Sequence, residues 1–370
     1  MKLKVAQNIS TLIPYPPGKP IEELEREYGI SGSIKLASNE NAWGPSPRAV
    51  EAMKEAMQNL HRYPDGSCYY LARSLSEKLG VKPGQIVFGN GSNEIIGLLI
   101  TAFLQPDEEV ITSHPTFLMY QKLVQVQGGI NTVVELTEGM NHDLKAILEA
   151  VSPRTRMIFL DNPNNPTGTI IDKDAFASFM EQLPDEIIVV LDEAYVDFVV
   201  PELRIDVLAY IREGKPVAGL RTFSKAYGLS GLRLGYGIMD GEMAEYLNRV
   251  RQPFNVNSLA QVGGVAALSD ENHYRMTLQK SRDGIAWLSK EVEKLGCRPM
   301  STHTNFFLID VKGDGKKLYE NMLHKGVIVR PMQAYGYPNY IRITVGRADE
   351  NRRFVKALGN SLKELGYVRE

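Results

Sequence analysis

The chain has 370 residues, of which 43% are hydrophobic and 23% are charged, proportions that are typical of a water-soluble globular enzyme. Its 42 basic and 44 acidic residues give a formal net charge of -2 at pH 7, so the charge balance does not favour a nucleic-acid partner. The length exceeds the usual size of a single hydrophobic core, and we therefore expect a larger and a smaller domain.

The compartment is predicted from the start of the chain and from its cysteines. Residues 1–18 contain prolines and polar residues where a signal peptide needs an apolar core, and no apolar run approaches the roughly 18 residues of a membrane span. Cys68 and Cys297 lie far apart and form no C-x-x-C pair, which favours neither a disulfide framework nor a metal site. We expect a cytoplasmic protein with no membrane partner and no bound metal.

The amino-terminal segment, residues 1–33, is expected to form an arm. Four prolines between positions 14 and 20 favour an extended chain, and a short helix over residues 21–28 follows. An arm of this kind lies across another part of the molecule. Tyr15 then has two possible roles, as a packing anchor or as a ligand-binding residue if the arm crosses an active site.

A phosphate-binding turn is predicted near residue 92. A strand, a glycine-containing turn and an apolar helix follow one another over residues 85–104. Unpaired backbone N–H groups and the helix dipole both favour an anion at such a turn, beside Ser92 and Asn93. The pattern G-x-G-x-x-G is not completed, because Glu94 stands at its third glycine position, and this argues against a nicotinamide cofactor.

Strands and helices alternate through the middle of the chain. Strands are expected at residues 109–112, 131–136, 155–160 and 187–191. This spacing predicts an α/β fold with a mostly parallel sheet, helices on both of its faces and functional residues at the strand ends. Phe117, just past one of these strands, either stacks on a flat ligand or packs in the core.

Two residues of this region are candidates for chemistry. Asp192 ends a strand of branched apolar residues, where a carboxylate is costly to bury unless a cation lies opposite. That cation could be a protonated pyridine nitrogen, although a salt bridge or a helix cap explains Asp192 better when this residue is taken alone. Lys225 lies between small hydroxyl residues and a glycine-rich run. This setting suits a buried lysine that forms a Schiff base, but it also suits an exposed lysine on a flexible loop.

The last part of the chain is expected to form the smaller domain. Helices are expected from residue 258, followed by strands at residues 304–310, 327–330 and 340–345. Arg342 lies inside the last of these strands, where a guanidinium group needs an anion. We therefore predict an arm over 1–33, a large domain over 34–257 and a small domain over 258–370.

Taken together, these segments resemble the fold-type I, class I and II aminotransferases that depend on pyridoxal phosphate. The resemblance rests on Asn-Pro-Thr-Gly at 165–168, Asp192-x-x-Tyr195, Ser224-Lys225, Arg233 and the later Arg342, and it covers essentially the whole chain. Within this class, the segments 15–24, 38–41, 62–65 and 162–168 are similar to the histidinol-phosphate aminotransferases. Ala42-Trp43 departs from that family, which usually has proline followed by an aromatic residue.

The resemblance implies roles for individual residues. Lys225 would bind the cofactor covalently and then move a proton, Asp192 would keep the pyridine nitrogen protonated, and Asn165 and Tyr195 would contact the phenolic oxygen. The phosphate would be held by Ser92, Asn93, Thr222 or Ser224, and Arg233, with Phe117 against the ring. Tyr63 would reach the cofactor phosphate of a neighbouring subunit, which implies a homodimer. The expected substrate-binding residues are Tyr15, Asn39, Asn165, Arg330 and Arg342.

The expected reaction is a ping-pong transfer of the amino group between L-histidinol phosphate and 2-oxoglutarate, in histidine biosynthesis. Two alternatives keep the same fold: an aminotransferase for aromatic or other amino acids, and a lyase that decarboxylates threonine phosphate. A non-catalytic regulator is not expected, because such proteins carry a separate DNA-binding domain. The spacing of Thr222 and Lys225 also fits an acyl-enzyme motif, but its partner motifs are missing.

Overall fold

The structure is a computed structural model, and it describes residues 3–14 and 18–367. In these residues the α-helices are α1 (Gln7–Ser10), α2 (Ile21–Tyr28), α3 (Pro47–Ala56), α4 (Tyr69–Leu79), α5 (Ser92–Phe103), α6 (Met119–Gln127), α7 (Leu144–Glu149), α8 (Lys173–Gln182), α9 (Val207–Arg212), α10 (Gly241–Val250), α11 (Ser258–Ser269), α12 (Glu271–Lys294), α13 (Gly315–Leu323) and α14 (Ala348–Glu364). The strands are β1 (Ile34–Lys35), β2 (Ile86–Asn90), β3 (Glu109–His114), β4 (Ile130–Glu135), β5 (Thr155–Asp161), β6 (Ile188–Asp192), β7 (Val217–Thr222), β8 (Leu234–Ile238), β9 (Arg298–Pro299), β10 (Phe306–Asp310), β11 (Val327–Ile328), β12 (Arg330–Pro331) and β13 (Tyr340–Thr344).

The largest sheet has the strand order β2-β8-β7-β6-β5-β3-β4 within the described residues. Strand β8 runs antiparallel to both of its neighbours, and the other pairs are parallel. The mostly parallel α/β sheet predicted from the sequence is therefore confirmed. In register, Asp161 at the end of β5 lies beside Asp192 at the end of β6, which brings polar side chains together at one edge.

Helices cover both faces of this sheet because its strands are apolar on both sides. Every residue of β6 is buried, as a parallel strand between two helical layers requires. One face packs against α3, α4, α7, α8, α9 and α11, through side chains such as Leu75 and Phe176. The other face packs against α5, α6 and α10, through side chains such as Ile96 and Leu247.

The last third of the chain builds a second sheet, in the order β12-β13-β10-β9 among the described strands, with antiparallel pairing. Its core includes Leu288, Met322 and Phe354, from α12, α13 and α14. Strand β1 pairs in parallel with β11, so an early segment of the chain is tied to this late unit.

Helix α11 begins directly after the predicted domain boundary at residue 257 but packs against the large sheet. Ala260 and Ala267 on this helix are buried in the core of the large sheet. A Cβ added to Gly264 would come within 2.7 Å of the Leu234 side chain, which shows how closely the helix packs against strand β8. The division at residue 257 remains a prediction, and we propose to place it after Ser269 because α11 packs with the large unit.

Strand β3 runs to His114, two residues beyond the predicted strand at 109–112, and the next helix begins at Met119. A proline disfavours helical geometry at the residue that precedes it, so Pro115 favours the extended conformation of His114. No helix in residues 3–14 and 18–367 combines the length and the apolarity needed to cross a bilayer.

Candidate active site

A cavity of about 550 Å³ lies at the carboxyl ends of the large sheet, facing the small sheet. Most of the residues singled out from the sequence line it, although they are spread over the whole chain. They are Asn39, Ser92, Asn93, Phe117, Asn165, Asp192, Tyr195, Thr222, Ser224, Lys225, Arg233, Arg330 and Arg342.

Lys225 follows strand β7 and points its amine into this cavity. Its Nζ lies 3.5 Å from the carbonyl oxygen of Ser38 and 5.4 Å from the ring centroid of Tyr195. Burial, together with the nearby charge of Arg342, lowers the pKa of Lys225 to about 8. An appreciable fraction of the amine is therefore uncharged near neutral pH and can act as a nucleophile or a base.

Asp192 lies buried at the end of β6. Its Oδ2 accepts a hydrogen bond of 2.8 Å from the Tyr120 hydroxyl, and its Oδ1 accepts one of 3.1 Å from the backbone N–H of Ala194. Burial raises the pKa of Asp192 to about 7, while the bond from Tyr120 opposes that rise. Among the described residues no lysine or arginine forms an ion pair with Asp192. A ligand cation placed against this carboxylate would restore its charge.

Two hydrogen-bonded pairs of side chains lie on the other wall of the cavity. Arg342 donates a hydrogen bond of 2.5 Å from Nη1 to Oδ1 of Asn165 and one of 3.0 Å from Nη2 to the Ala37 carbonyl oxygen. Asn39 donates a bond of 2.8 Å from Nδ2 to the Tyr195 hydroxyl. Burial raises the pKa of Tyr195 to about 12, against the opposing effects of Arg342 and Asn39. The Tyr195 hydroxyl therefore stays protonated at physiological pH.

The predicted anion site lies where α5 begins at Ser92. A Cβ on Gly91 would come within 2.5 Å of the Arg233 guanidinium, and a Cβ on Gly235 within 2.2 Å of the Ser92 backbone nitrogen. A side chain at either position would clash with these atoms, so Gly91 and Gly235 are required for this close approach, which we call the cradle. The Asn93 side-chain oxygen is buried and has no hydrogen-bond partner among the described residues. The N–H groups of the helix start and the Arg233 charge together suit a phosphate, whereas the Asn93 oxygen calls for a hydrogen-bond donor.

The hydroxyls of Thr222 and Ser224 complete the floor of this site. Thr222 donates a hydrogen bond of 2.9 Å to the Ser224 hydroxyl oxygen, and both side chains are buried. Phe117 both lines the cavity and packs edge-on against Tyr120, with ring centroids 5.6 Å apart. The two roles predicted for Phe117, ligand contact and core packing, are therefore compatible.

The two strand arginines face the cavity from the small sheet. Arg330 on β12 lies directly beside Arg342 on β13 in the antiparallel register. Both line the cavity, and Arg342 is almost wholly buried. Two neighbouring guanidinium groups make this wall suitable for a carboxylate or phosphate group.

Two predicted residues are not among those that line the cavity. Tyr63 lies on the surface with 83% of its area exposed, and its ring stacks on Phe254 at a centroid distance of 5.0 Å. Its predicted contact with a neighbouring subunit stays a prediction. Tyr15 lies outside the described residues.

The sequence analysis missed several residues of the site. Tyr120 supports Asp192, and Asp161 accepts a bond of 2.9 Å from the Asn165 backbone N–H while lying 3.2 Å from His142 Nε2. Asp161 could have been found by the argument used for Asp192, because it too ends a buried strand. Lys35 and Glu40 also line the cavity; Glu40 lies in segment 38–41, which carries part of the family resemblance but predicted no role for it, and no sequence pattern marked Lys35.

The described residues show no group of three or more His, Cys, Asp or Glu side chains arranged to hold a metal. Cys68 and Cys297 are both buried, unpaired thiols.

Comparison with known proteins assigns this arrangement to a family. Residues 31–358 match the sequence profile of the aminotransferase class I and II family. A histidinol-phosphate aminotransferase from Desulfotalea psychrophila is 57% identical over 100% of this chain and 98% of its own length. Another from Moorella thermoacetica is 46% identical over 96% of this chain and 92% of its own length.

A solved structure shares the fold. The histidinol-phosphate aminotransferase from Sinorhizobium meliloti, in complex with pyridoxal 5′-phosphate, superposes with a TM-score of 0.90 at 25% identity. The match covers 99% of each chain.

Proposed function

Because this chain belongs to the histidinol-phosphate aminotransferases, within the class I and II aminotransferases, we propose that it transfers the amino group between L-histidinol phosphate and 2-oxoglutarate, with pyridoxal 5′-phosphate as cofactor. The products are imidazole acetol phosphate and L-glutamate, and the reaction belongs to histidine biosynthesis. The family and fold predicted from the sequence are confirmed. The observation that supports the reaction is one cavity that holds Lys225, Asp192, a phosphate cradle and two strand arginines.

The residues present fit the proposed cofactor. The cradle at Gly91 and Gly235, with the guanidinium of Arg233 beside it, suits its phosphate. Asp192 is a buried carboxylate with no cationic partner among the described side chains, which suits a protonated pyridine nitrogen. Arg233, Ser92, Thr222 and Ser224 would hold the phosphate, Asn165 and Tyr195 the phenolic oxygen, and Phe117 the ring face.

When bound, pyridoxal phosphate supplies a carbonyl carbon that exchanges amino groups and a ring that delocalises an electron pair. Lys225 is the residue that binds at that carbonyl and, once released, moves the proton at the substrate Cα. Its lowered pKa keeps part of the amine in the form that accepts a proton. Its closeness to the Tyr195 ring keeps the amine inside the cavity and away from bulk water.

Asp192 and Tyr120 act on the opposite side of the site. Asp192 would hold the ring nitrogen in its charged form, and the Tyr120 hydroxyl orients the carboxylate through a bond of 2.8 Å. Because Tyr120 is itself fully buried and stacked on Phe159 at 4.9 Å, its hydroxyl cannot turn away. The Asp192 carboxylate is thereby held in one position, so it need not be reoriented in each catalytic cycle.

Substrate anions are assigned to Arg342 and Arg330. Histidinol phosphate has a phosphate but no carboxylate, whereas glutamate has two carboxylates, so one site must accept either kind of anion in turn. The guanidinium fork suits both groups. Arg342 is held by Asn165 and by the Ala37 carbonyl oxygen, so its orientation is set before a substrate enters.

We also propose a cytoplasmic homodimer with active sites at the interface. Exposed aromatic residues support this proposal: Tyr63 stacks on Phe254, and Tyr69 meets Tyr70 edge-on. Exposed aromatic side chains in one area are typical of a protein interface. The unpaired thiols of Cys68 and Cys297 suit a reducing compartment.

The proposed reaction is tested by its half-reactions. The enzyme loaded with pyridoxal phosphate is mixed in turn with histidinol phosphate, glutamate, phenylalanine and threonine phosphate, and the visible absorbance of the bound cofactor is followed. We expect rapid bleaching with histidinol phosphate and glutamate, with no release of carbon dioxide. Bleaching by phenylalanine at a far higher kcat/KM, or carbon dioxide from threonine phosphate, would instead support one of the two alternatives.

A further inference from the structure

Lys35 and Glu40 form an ion pair on the wall of the active-site cavity, with 3.5 Å between Lys35 Nζ and Glu40 Oε1. Lys35 comes from strand β1 and Glu40 from the loop that follows it. Among the described residues, neither side chain makes another ion pair or a side-chain hydrogen bond. The pair therefore offers a cation and a carboxylate, side by side, to whatever enters the cavity.

Glu40 differs from the other carboxylates that line the cavity in the described part of the chain. Both oxygens of Asp192 accept hydrogen bonds from Tyr120 and Ala194. Both oxygens of Asp161 are also occupied, by His142 and Thr116 on one side and by the Asn165 N–H on the other. The Glu40 side chain is 49% exposed and accepts no hydrogen bond from residues 3–14 or 18–367, so it can accept one from a ligand.

The backbone around the pair is fixed to the substrate wall. Asn305 donates hydrogen bonds of 3.4 Å to the carbonyl oxygen of Asn39 and 3.3 Å to that of Glu40. Between the two members of the pair, the Ala37 carbonyl oxygen accepts the bond from Arg342. The segment that carries Lys35 and Glu40 is thus attached directly to the arginine assigned to the substrate anion.

Glu40 is also close to the reacting amine. Its charge opposes the lowering of the Lys225 pKa, although burial and Arg342 outweigh it. Because Lys35 and Glu40 line the same cavity as Lys225 and Arg342, a substrate whose amino group reaches Lys225 and whose anion reaches Arg342 can place its remaining part beside this pair.

The two proposed substrates differ in that remaining part. Histidinol phosphate presents an imidazole, whose N–H donates a hydrogen bond, whereas glutamate presents a second carboxylate, which accepts one. A site that serves both in turn needs an acceptor and a donor within reach of the same position.

On the basis of the proposed function, we propose that Lys35 and Glu40 determine dual substrate specificity: Glu40 accepts the imidazole N–H of histidinol phosphate, and Lys35 binds the distal carboxylate of glutamate. The pair separates slightly for either ligand, which its wide spacing and partial exposure permit. The pair is partly exposed, with 20% of the Lys35 side chain and 49% of the Glu40 side chain accessible, and ion pairs that are not fully buried contribute little to stability, so we expect replacement of either member to leave the fold intact.

The test measures kcat/KM for each half-reaction separately, from the bleaching of the bound cofactor. Glu40→Leu is expected to lower kcat/KM for histidinol phosphate by roughly 10-fold to 100-fold and that for glutamate by less than about 3-fold. Glu40→Gln, which keeps an acceptor, is expected to recover part of the loss. Lys35→Met is expected to show the opposite selectivity, with the larger loss for glutamate.

Matched controls come from an ion pair on the surface of α3. Lys54 and Glu51 lie 3.3 Å apart with side chains 64% and 65% exposed, so Glu51→Leu and Lys54→Met make the same chemical changes on an exposed helix. Both are expected to leave the two half-reactions unchanged. The visible spectrum and the cofactor dissociation constant of every variant are recorded, because a disturbed loop would alter them.

Equal losses for both substrates in Glu40→Leu, or no loss, would overturn the proposal, and so would a changed cofactor spectrum that accounts for the loss. The same data test the proposed function independently of the role of Lys35 and Glu40. If the unaltered enzyme does not convert histidinol phosphate, the proposed function fails. If the enzyme converts it but the variants lose no selectivity, the role of Lys35 and Glu40 alone fails.

Discussion

Arg342 and Asn165 join the two sheets through a hydrogen bond of 2.5 Å, donated by a guanidinium N–H of β13 to the amide oxygen that follows β5. The bond sets the orientation of both groups, since the Asn165 amide nitrogen must then point away from the arginine. One interaction thus connects the predicted substrate anion site with the predicted cofactor contact.

Replacement of Arg342 by lysine tests this connection. Lysine keeps the charge but cannot form two parallel hydrogen bonds, so we expect kcat/KM to fall by about 100-fold or more for both histidinol phosphate and glutamate. The dissociation constant of the cofactor, measured by its absorbance, is expected to change little. A loss confined to one substrate would contradict the assignment of Arg342 to the anion that both share.

Arg330 is expected to matter most for the phosphate of histidinol phosphate. Arg330→Ala should lower kcat/KM for histidinol phosphate more than for phenylalanine, because a dianionic phosphate gains more from a second guanidinium than a carboxylate does. The comparison of histidinol phosphate, phenylalanine and glutamate decides the matter. Equal losses for all three would remove Arg330 from substrate selection.

The lowered pKa of Lys225 predicts how the protein without cofactor takes up pyridoxal phosphate. The neutral amine is the reactive form, so the rate of covalent uptake should rise with pH, with a midpoint near pH 8 rather than near the ordinary lysine value of 10.5. Arg342→Gln removes a neighbouring positive charge and should move the midpoint upward. The measurement is stopped-flow absorbance between pH 6 and about 10, and a midpoint unchanged by Arg342→Gln would contradict the electrostatic explanation.

The raised pKa of Asp192 predicts that the free energy of unfolding of the protein without cofactor depends on pH. Burial raises its pKa from 3.8 to about 7, so the folded state holds the proton more tightly than the unfolded state does. The resulting stabilisation is full below pH 3.8 and is lost as the pH rises through about 7. At about 1.4 kcal/mol for each pH unit, the loss is of the order of 4 kcal/mol.

Asp192→Asn removes this titration while keeping an acceptor for Tyr120. Denaturant unfolding should show the variant more stable than the parent protein at pH 8, with the difference shrinking toward pH 5. The effect is expected without cofactor, because a bound ring nitrogen would supply the missing positive charge. A difference that does not depend on pH would contradict it.

If Tyr63 contacts the cofactor of the neighbouring subunit, two inactive variants should restore activity when they form mixed dimers. In a mixture of Lys225→Ala and Tyr63→Ala chains, a mixed dimer contains one site with both native residues. Random pairing should then restore about a quarter of the sites if Tyr63 acts across the interface. Activity that stays at the sum of the separate variants would place Tyr63 outside the neighbouring site.

The sequence alone predicted much of the fold and the cofactor residues. The helix Ile21–Tyr28 was predicted with the bounds observed, because Pro20 and Gly29 mark its ends. Lys225, Asp192 and Arg342 were also identified in advance, because each is a charged residue in a setting that would be costly without a partner. Local periodicity and the chemistry of single residues decide such features.

The tertiary structure decided the features that depend on distant segments. The support of Asp192 by Tyr120 joins residues 72 positions apart, and the bond from Arg342 to Asn165 joins residues 177 positions apart. Helix α11 follows the predicted domain boundary but packs on the large sheet, and Lys35 and Glu40 face the cavity because β1 pairs with β11. These relationships follow from strand register and helix packing, which bring together side chains whose own neighbours in the sequence carry no trace of the contact.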